Sequence, residues 1–276
     1  MRWVLPPGAS DLIASLRSEL SRRTLPARDR AALADLPKLK GRHGGERCFI
    51  LGGGSSIKKQ DLSKLSGEIV ISVSNTFVHP LFHDFRPRYH VLPPLVSSHG
   101  QYFSGKQFVT WLSDMERATD DAEMVFHIGD RRLIEDNGLF RNRTIHWVEY
   151  CPWFGDMATR LDLSRVPNIW SVSEVAVCFA VHLGFERIYL LGFDHDWFNG
   201  PLVYFFDHTK EHAMEPHKND LNDVDAEFQM RRHAEIFRKY KWLFSMRRNI
   251  YNANAEKSHY MDVFPKADFD SLFTSL

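Results

Sequence analysis

From Ser171 to Asp194 the chain reads SVSEVAVCFAVHLGFERIYLLGFD, and no other stretch restricts the fold as tightly. Ser171-Val-Ser-Glu174 matches the S-x-x-E capping box, in which serine and glutamate each satisfy a backbone N–H of the first turn. Val175–Leu183 is apolar on every side, and Gly184 is placed to close the helix. Ile188-Tyr-Leu-Leu191 then reads as a strand that stops at Gly192-Phe-Asp194. A helix apolar all round has no face for water, so it lies inside a domain. A buried helix running straight into a buried strand is one step of a parallel α/β sheet.

The rest of the chain repeats this alternation. Strands are expected at Cys48–Leu51, Ile69–Val73, Tyr89–Leu92, Met124–Ile128 and Ile145–Val148, with a helix over Phe103–Arg117. The expected fold is α/β: a Rossmann-like, mainly parallel sheet with helices on both faces. Residues 1–41 read as an N-terminal helical arm and linker, with Leu12, Ile13, Leu16 and Leu20 on one face, outside the main sheet. Residues 42–276 are expected to form the α/β domain itself. Within it, 195–223 is a lid-like stretch with no clear element, and such long stretches are commonly functional. A helix over 225–248 follows, with Met230, Phe237 and Phe244 at seven-residue spacing; Arg231, Arg232, Arg238, Lys239, Lys241, Arg247 and Arg248 fall on its other faces.

Composition bears mainly on partners. With 35 basic and 35 acidic residues the formal net charge is zero, which gives no global reason to expect nucleic acid. The three cysteines, Cys48, Cys151 and Cys178, have no ligand spacing, and a reduced, cytoplasmic protein is expected. The N-terminus lacks a signal peptide's apolar stretch, and the greasiest segment, Val175–Phe193, is broken by Glu186 and Arg187. A homo-oligomer is left open.

The residues that suggest chemistry lie at strand ends. Gly52-Gly53-Gly54-Ser55-Ser56 follows the first strand, where backbone N–H groups and hydroxyls hold phosphates; a bare strand–helix turn accounts for the same residues. NAD does not fit: Ile57 stands where the third glycine of G-x-G-x-x-G belongs, and Ser72, Ser74 and Asn75 at the next strand end supply no acid. The Lys-Ser/Thr pair of a P-loop is also absent. A mononucleotide or sugar nucleotide held by neutral donors remains. Asn75 is a second ligand candidate, or a turn residue. Ser171 and Ser173 are helix caps whose neighbouring N–H groups face the same edge. Asp194 suits a ribose or base edge, or, with His195 and Asp196, a divalent metal. In the lid, Tyr204 and the histidines His208, His212 and His217 offer an acid and a general base; a zinc site is not expected.

Two blocks, RCFILGGGSSI (47–57) with DLSKL and ISVSN (71–75), and the whole 171–194 unit, resemble the lipooligosaccharide sialyltransferases of bacteria that use CMP-sialic acid. The same blocks resemble the wider group that includes motility-accessory-factor glycosyltransferases and archaeal hydroxymethylpterin diphosphokinases. The tail Ile250-Tyr-Asn-Ala-Asn-Ala is similar to their Asn-Ala-Thr stretch. The resemblance implies an inverting transfer from a CMP-activated sugar, with no cofactor or metal required. Gly52, Gly53, Gly54, Ser55, Ser56, Asn75, Ser171, Ser173 and Asp194 would hold the donor. It further implies His217 as general base, with His212 in reserve, and Tyr204 and Trp197 at the two positions that stabilise the leaving phosphate. The family has asparagine at the position of Gly53, a glycine at Ser173 and a tyrosine at Trp197. The implied partners are the nucleotide sugar and a glycan or glycolipid acceptor of a surface-glycan (lipopolysaccharide) pathway. The basic helix 225–248 and the arginine-rich N-terminal arm then read as contacts to anionic lipid at the inner face of the membrane or to the glycolipid acceptor, or each as a plain solvated face. The alternatives are a diphosphokinase using magnesium and ATP, and a non-catalytic nucleotide- or glycan-binding module.

Overall fold

The computed structural model describes residues 20, 23–96, 105–119, 121–151, 161, 163–167, 169–195, 203–206, 226–255 and 263–274. Its centre is one seven-stranded, all-parallel sheet. The strands are β1 (Arg47–Leu51), β2 (Ile69–Val73), β3 (Tyr89–Val91), β4 (Glu123–His127), β5 (Ile145–Val148), β8 (Arg187–Leu191) and β9 (Ile250–Asn252). Tyr150–Cys151 (β6) and Val166–Pro167 (β7) pair separately as a short second sheet. The order across the main sheet is β5-β4-β3-β2-β1-β8-β9. The chain therefore builds outward from β1 in one direction, returns across it, and builds outward in the other. With right-handed crossovers, this reversal puts the two sets of connections on opposite faces.

Burial explains the strand sequences. Cys48–Leu51 and Ile188–Leu191 are covered on both sides, so both runs are continuously apolar rather than alternating. Burial also pushes the Cys48 thiol well above its ordinary range, which leaves it an inert core group.

The helix that covers this centre is α4 (Val172–Leu183), following α1 (Ala27–Leu33), α2 (Gly105–Ala118) and α3 (Arg131–Asp136). Every residue from Ser173 to Leu183 is buried, and the helix packs on β1, β2 and β3. Its capping box is complete, and Gly184 ends it at φ +80°. Because three residues then lead into β8, the C-terminus of α4 lies at the strands' N-terminal edge. Its N-terminus therefore lies at their carboxyl edge. The last helix, α5 (Ala226–Met246), packs against α4.

Residues 23–41 of the arm join this body. Leu33 and Leu36 are in the core, and α1 packs on β5. Gly41 and His43 donate their N–H groups to the His182 and Leu183 carbonyls (3.1 and 2.9 Å), satisfying free carbonyls at the end of α4. The same edge holds Glu123, which accepts from Arg42 (2.8 Å) and His146 (2.6 Å) and pairs with Arg88 (2.7 Å). Burial alone would raise the Glu123 carboxyl, but the hydrogen bonds from His146 and Arg42 bring it below its ordinary value. Among the described residues no helix is long and apolar enough to cross a membrane.

Candidate functional site

The reversal of strand order lies between β1 and β8, and in open α/β sheets ligands bind outside the strand ends at such a point. The glycine turn follows β1 there, and Gly192-Phe-Asp194 follows β8. The two loops touch through backbone. Gly52 and Gly54 donate to the Leu191 and Gly192 carbonyls (2.8 and 3.0 Å), and a Cβ on Gly52 would lie 2.6 Å from the Gly192 oxygen. A Cβ on Gly54 would lie 2.5 Å from the Asp194 carboxyl group. Two of the three glycines are thus required by contact between the loops themselves. Gly53 differs, because its Cβ would meet only side-chain atoms, of Tyr204 and Phe206.

Asp194 lies within this contact. Its carboxylate accepts from the Ser56 N–H (3.0 Å) and from the Ser56 hydroxyl, so Ser56 is spent on holding the acid. The Ser55 hydroxyl is not spent. Among the described residues, neither the Gly53 N–H nor the Ser55 hydroxyl makes a hydrogen bond, while the Ser55 N–H faces the Val203 carbonyl across the bridge described next. The segment 203–206 lies over them: Tyr204 pairs with Gly54 in an antiparallel bridge, and Phe205 donates to the Gly53 carbonyl (3.1 Å). Among the described residues, Tyr204 is the one member of the expected catalytic set, and it lies at the glycine turn. Trp197 and His217 lie outside the described residues, as do His208, His212 and Asp196.

Asn75 sits in the 3₁₀ turn Ser74–Val78 just past β2, after Ser74 at φ +49°. It is buried, and its Oδ1 accepts from Trp111 Nε1 of α2 (2.7 Å). Its Nδ2 makes no hydrogen bond among the described residues, and the same holds for Thr76 Oγ1 and for Asn252 Nδ2 at the end of β9. Each such buried group costs about 1–3 kcal/mol unless something pairs with it. The carboxyl edge thus carries unmet polar demand close to the loop contact.

Ser171 is the N-cap of α4, and Ser173 lies in its first turn. Tyr240 of α5 donates to Ser173 Oγ (2.8 Å), which donates to Ser171 Oγ (2.8 Å). His195 Nε2 meets the Tyr240 hydroxyl at 3.3 Å. This buried chain ties the start of α4 to the residue after Asp194. His195 is thus packed against Tyr240 at φ +46°. Among the described residues no three His, Cys, Asp or Glu side chains are grouped to hold a metal. Lys239, one of the cations on the other faces of the last helix, is buried. It pairs with Glu174 at 2.7 Å because the capping carboxylate is itself buried.

Several of these groups escaped the sequence reading. Trp111, Tyr240 and the Phe193 N–H bond to Asn254 Oδ1 (3.1 Å) have no motif, since each acts across long sequence separation. His90, bonded to Ser72 Oγ at 2.7 Å, was also unmarked.

Burial holds both His90 and His195 down to a pKa of about 3. The unfolded chain binds these protons near pH 6.5 and the folded protein does not. Stability is therefore full above pH 6.5 and falls as pH drops towards 3, by at most about 1.4 kcal/mol per pH unit for each histidine. Urea midpoints at pH 7, 6 and 5 are expected to decrease in that order. A flat series would show that both imidazoles are protonated in the native state.

No protein-family model matches the chain, and no curated protein matches it.

Proposed function

We propose that this protein is a glycosyltransferase that moves a sialic-acid-like or other 2-keto-acid sugar from a CMP-activated donor to a surface-glycan acceptor. The observation that carries the reading is the set of unspent donors along the carboxyl edge: the Gly53 N–H and Ser55 hydroxyl after β1, at the strand-order reversal, and Asn75 Nδ2 after the neighbouring β2. These are neutral donors on rigid backbone, suited to a phosphate that gains charge as it departs. Asp194, held by two bonds from Ser56, places a carboxylate at the same edge. A carboxylate beside neutral donors favours a ligand that carries hydroxyls as well as phosphate.

In the reaction, the acceptor oxygen bonds to the anomeric carbon from the face opposite the phosphate, and CMP leaves with the bonding electron pair. The acceptor proton passes to a base, a role that the family resemblance gives to His217. The glycine turn stabilises the departing phosphate, with the Tyr204 phenol at its edge. This sequence inverts the anomeric centre and needs no metal.

Thermal unfolding with CMP, UMP, ADP, ATP and NAD, each with and without magnesium, tests the reading. CMP is expected to stabilise the protein independently of magnesium, by about 2.7 kcal/mol at a hundredfold excess over Kd. Ser55→Ala is expected to weaken CMP about fivefold to tenfold, the value of one hydrogen bond of about 1–1.5 kcal/mol. His217→Ala should keep the CMP stabilisation and abolish transfer from a CMP-sugar. A shift seen only with ATP and magnesium would overturn this reading in favour of the diphosphokinase. No shift with any nucleotide would leave a glycan-binding module.

A further inference from the structure

The outer face of α5 is not explained by a nucleotide site. Met230 and Phe237, seven residues apart, are 61% and 40% exposed, which is unusual for side chains of their size. Arg231 and Arg238 run beside them at the same spacing, and Lys241 follows one turn after Phe237 on their own side. The Lys241 ammonium lies 5.7 Å from the centre of the Phe237 ring, and the Arg248 guanidinium lies 5.8 Å from that of Phe244. From Met230 to Lys241 the helical stripe is about 16 Å long, at 1.5 Å per residue, and Arg248 lies two residues past the helix end. In the exposed part of the helix only Glu227 opposes these charges, and Glu235 offsets Arg238 at 3.3 Å.

We infer that this stripe is a docking surface for an anionic lipid bilayer, with α5 lying in the plane of the interface. The chain has zero net charge, so a cationic row is a local concentration rather than a general property. Its pairing with two exposed apolar side chains matches an interface that is anionic at the headgroups and apolar beneath. Long cationic side chains lying over rings keep their stems in the apolar layer and their charges at the headgroups. Each cation close to an anionic surface contributes about a fivefold gain in partition, so charge outweighs the small apolar area. The inference is independent of the nucleotide reading: it concerns another face and does not require catalysis.

Co-sedimentation of the full chain with vesicles of phosphatidylglycerol or of phosphatidylcholine tests it. Binding is expected to the anionic vesicles alone, falling at least tenfold between about 0.05 and 0.5 M NaCl, when the Debye length shortens several-fold. Arg231→Ser/Lys241→Ser is expected to lose about twentyfold in partition, and Met230→Ser/Phe237→Ser a smaller factor. Both variants should keep the unfolding temperature of the parent and any stabilisation by CMP, because all four side chains point outward. Equal binding to both vesicles, or anionic binding unchanged in both variants, would overturn the inference. So would a dimer by light scattering that Met230→Ser/Phe237→Ser converts to monomer, which would assign the stripe to a second copy of the chain.

Discussion

Replacing Lys239 by methionine is expected to cost about 3–5 kcal/mol of folding stability, although methionine fills most of the same space. The Glu174 side chain is 2% exposed and its partner's 4%. One carboxylate oxygen accepts from the Trp170 and Ser171 N–H groups at 2.6 and 2.8 Å; the other accepts from Lys239 at 2.7 Å. Without the ammonium, a buried charge would be left with two backbone donors and no counter-ion. Glu174→Gln/Lys239→Met should recover much of the loss, because the amide oxygen still accepts from the N-cap and no charge is stranded. Urea unfolding of the two variants and the parent measures this directly. A single-variant loss below 1 kcal/mol would show that water reaches the pair. The single substitution should also loosen the first turn of α4, and with it the hydroxyl chain from Ser171 through Ser173 to Tyr240.

The same pair shows where sequence reading stops. Ser171 and Glu174 announce a capping box because the motif is local, and Val175–Leu183 announces burial because no polar face interrupts it. Lys239 reads as one more cation on a basic helix, since its partner is 65 residues away. Strand β1 is legible in Cys48–Leu51, but β9 is not. Ile250–Asn252 is three residues long and owes its existence to pairing with β8. The arm is similar: Leu33 and Leu36 carry no sign of the partners that bury them. At the site, the glycines and Asp194 stand out in the sequence, yet nothing there indicates that Ser56 and Asp194 are bonded to each other. That contact redirects phosphate recognition to Gly53 and Ser55. It also shows that the glycine turn serves packing as well as ligand.

Gly192→Ala separates those two demands on the loop contact. Gly192 has φ +68°, and a Cβ there would lie 2.6 Å from the Gly52 oxygen and 2.8 Å from Ile57 Cγ2. The left-handed backbone alone costs an alanine about 1–2 kcal/mol. Crowding against a main-chain oxygen adds about 1–3 kcal/mol, because the backbone of β1 and β8 is fixed by parallel pairing up to Leu51 and Leu191. A total near 3 kcal/mol is expected. Gly67→Ala is the matched comparison: φ is +83° but nothing lies within 4 Å of the added carbon, so only the backbone cost applies. The difference between the two variants in urea unfolding therefore isolates the close approach of the loops. If the unspent donors on Gly53 and Ser55 are held in place by that approach, Gly192→Ala should also lose stabilisation by CMP, while Gly67→Ala keeps it. Equal losses of stability in the two variants would mean that the loops can part at little cost. The rigid backbone on which the proposed phosphate site depends would then be absent.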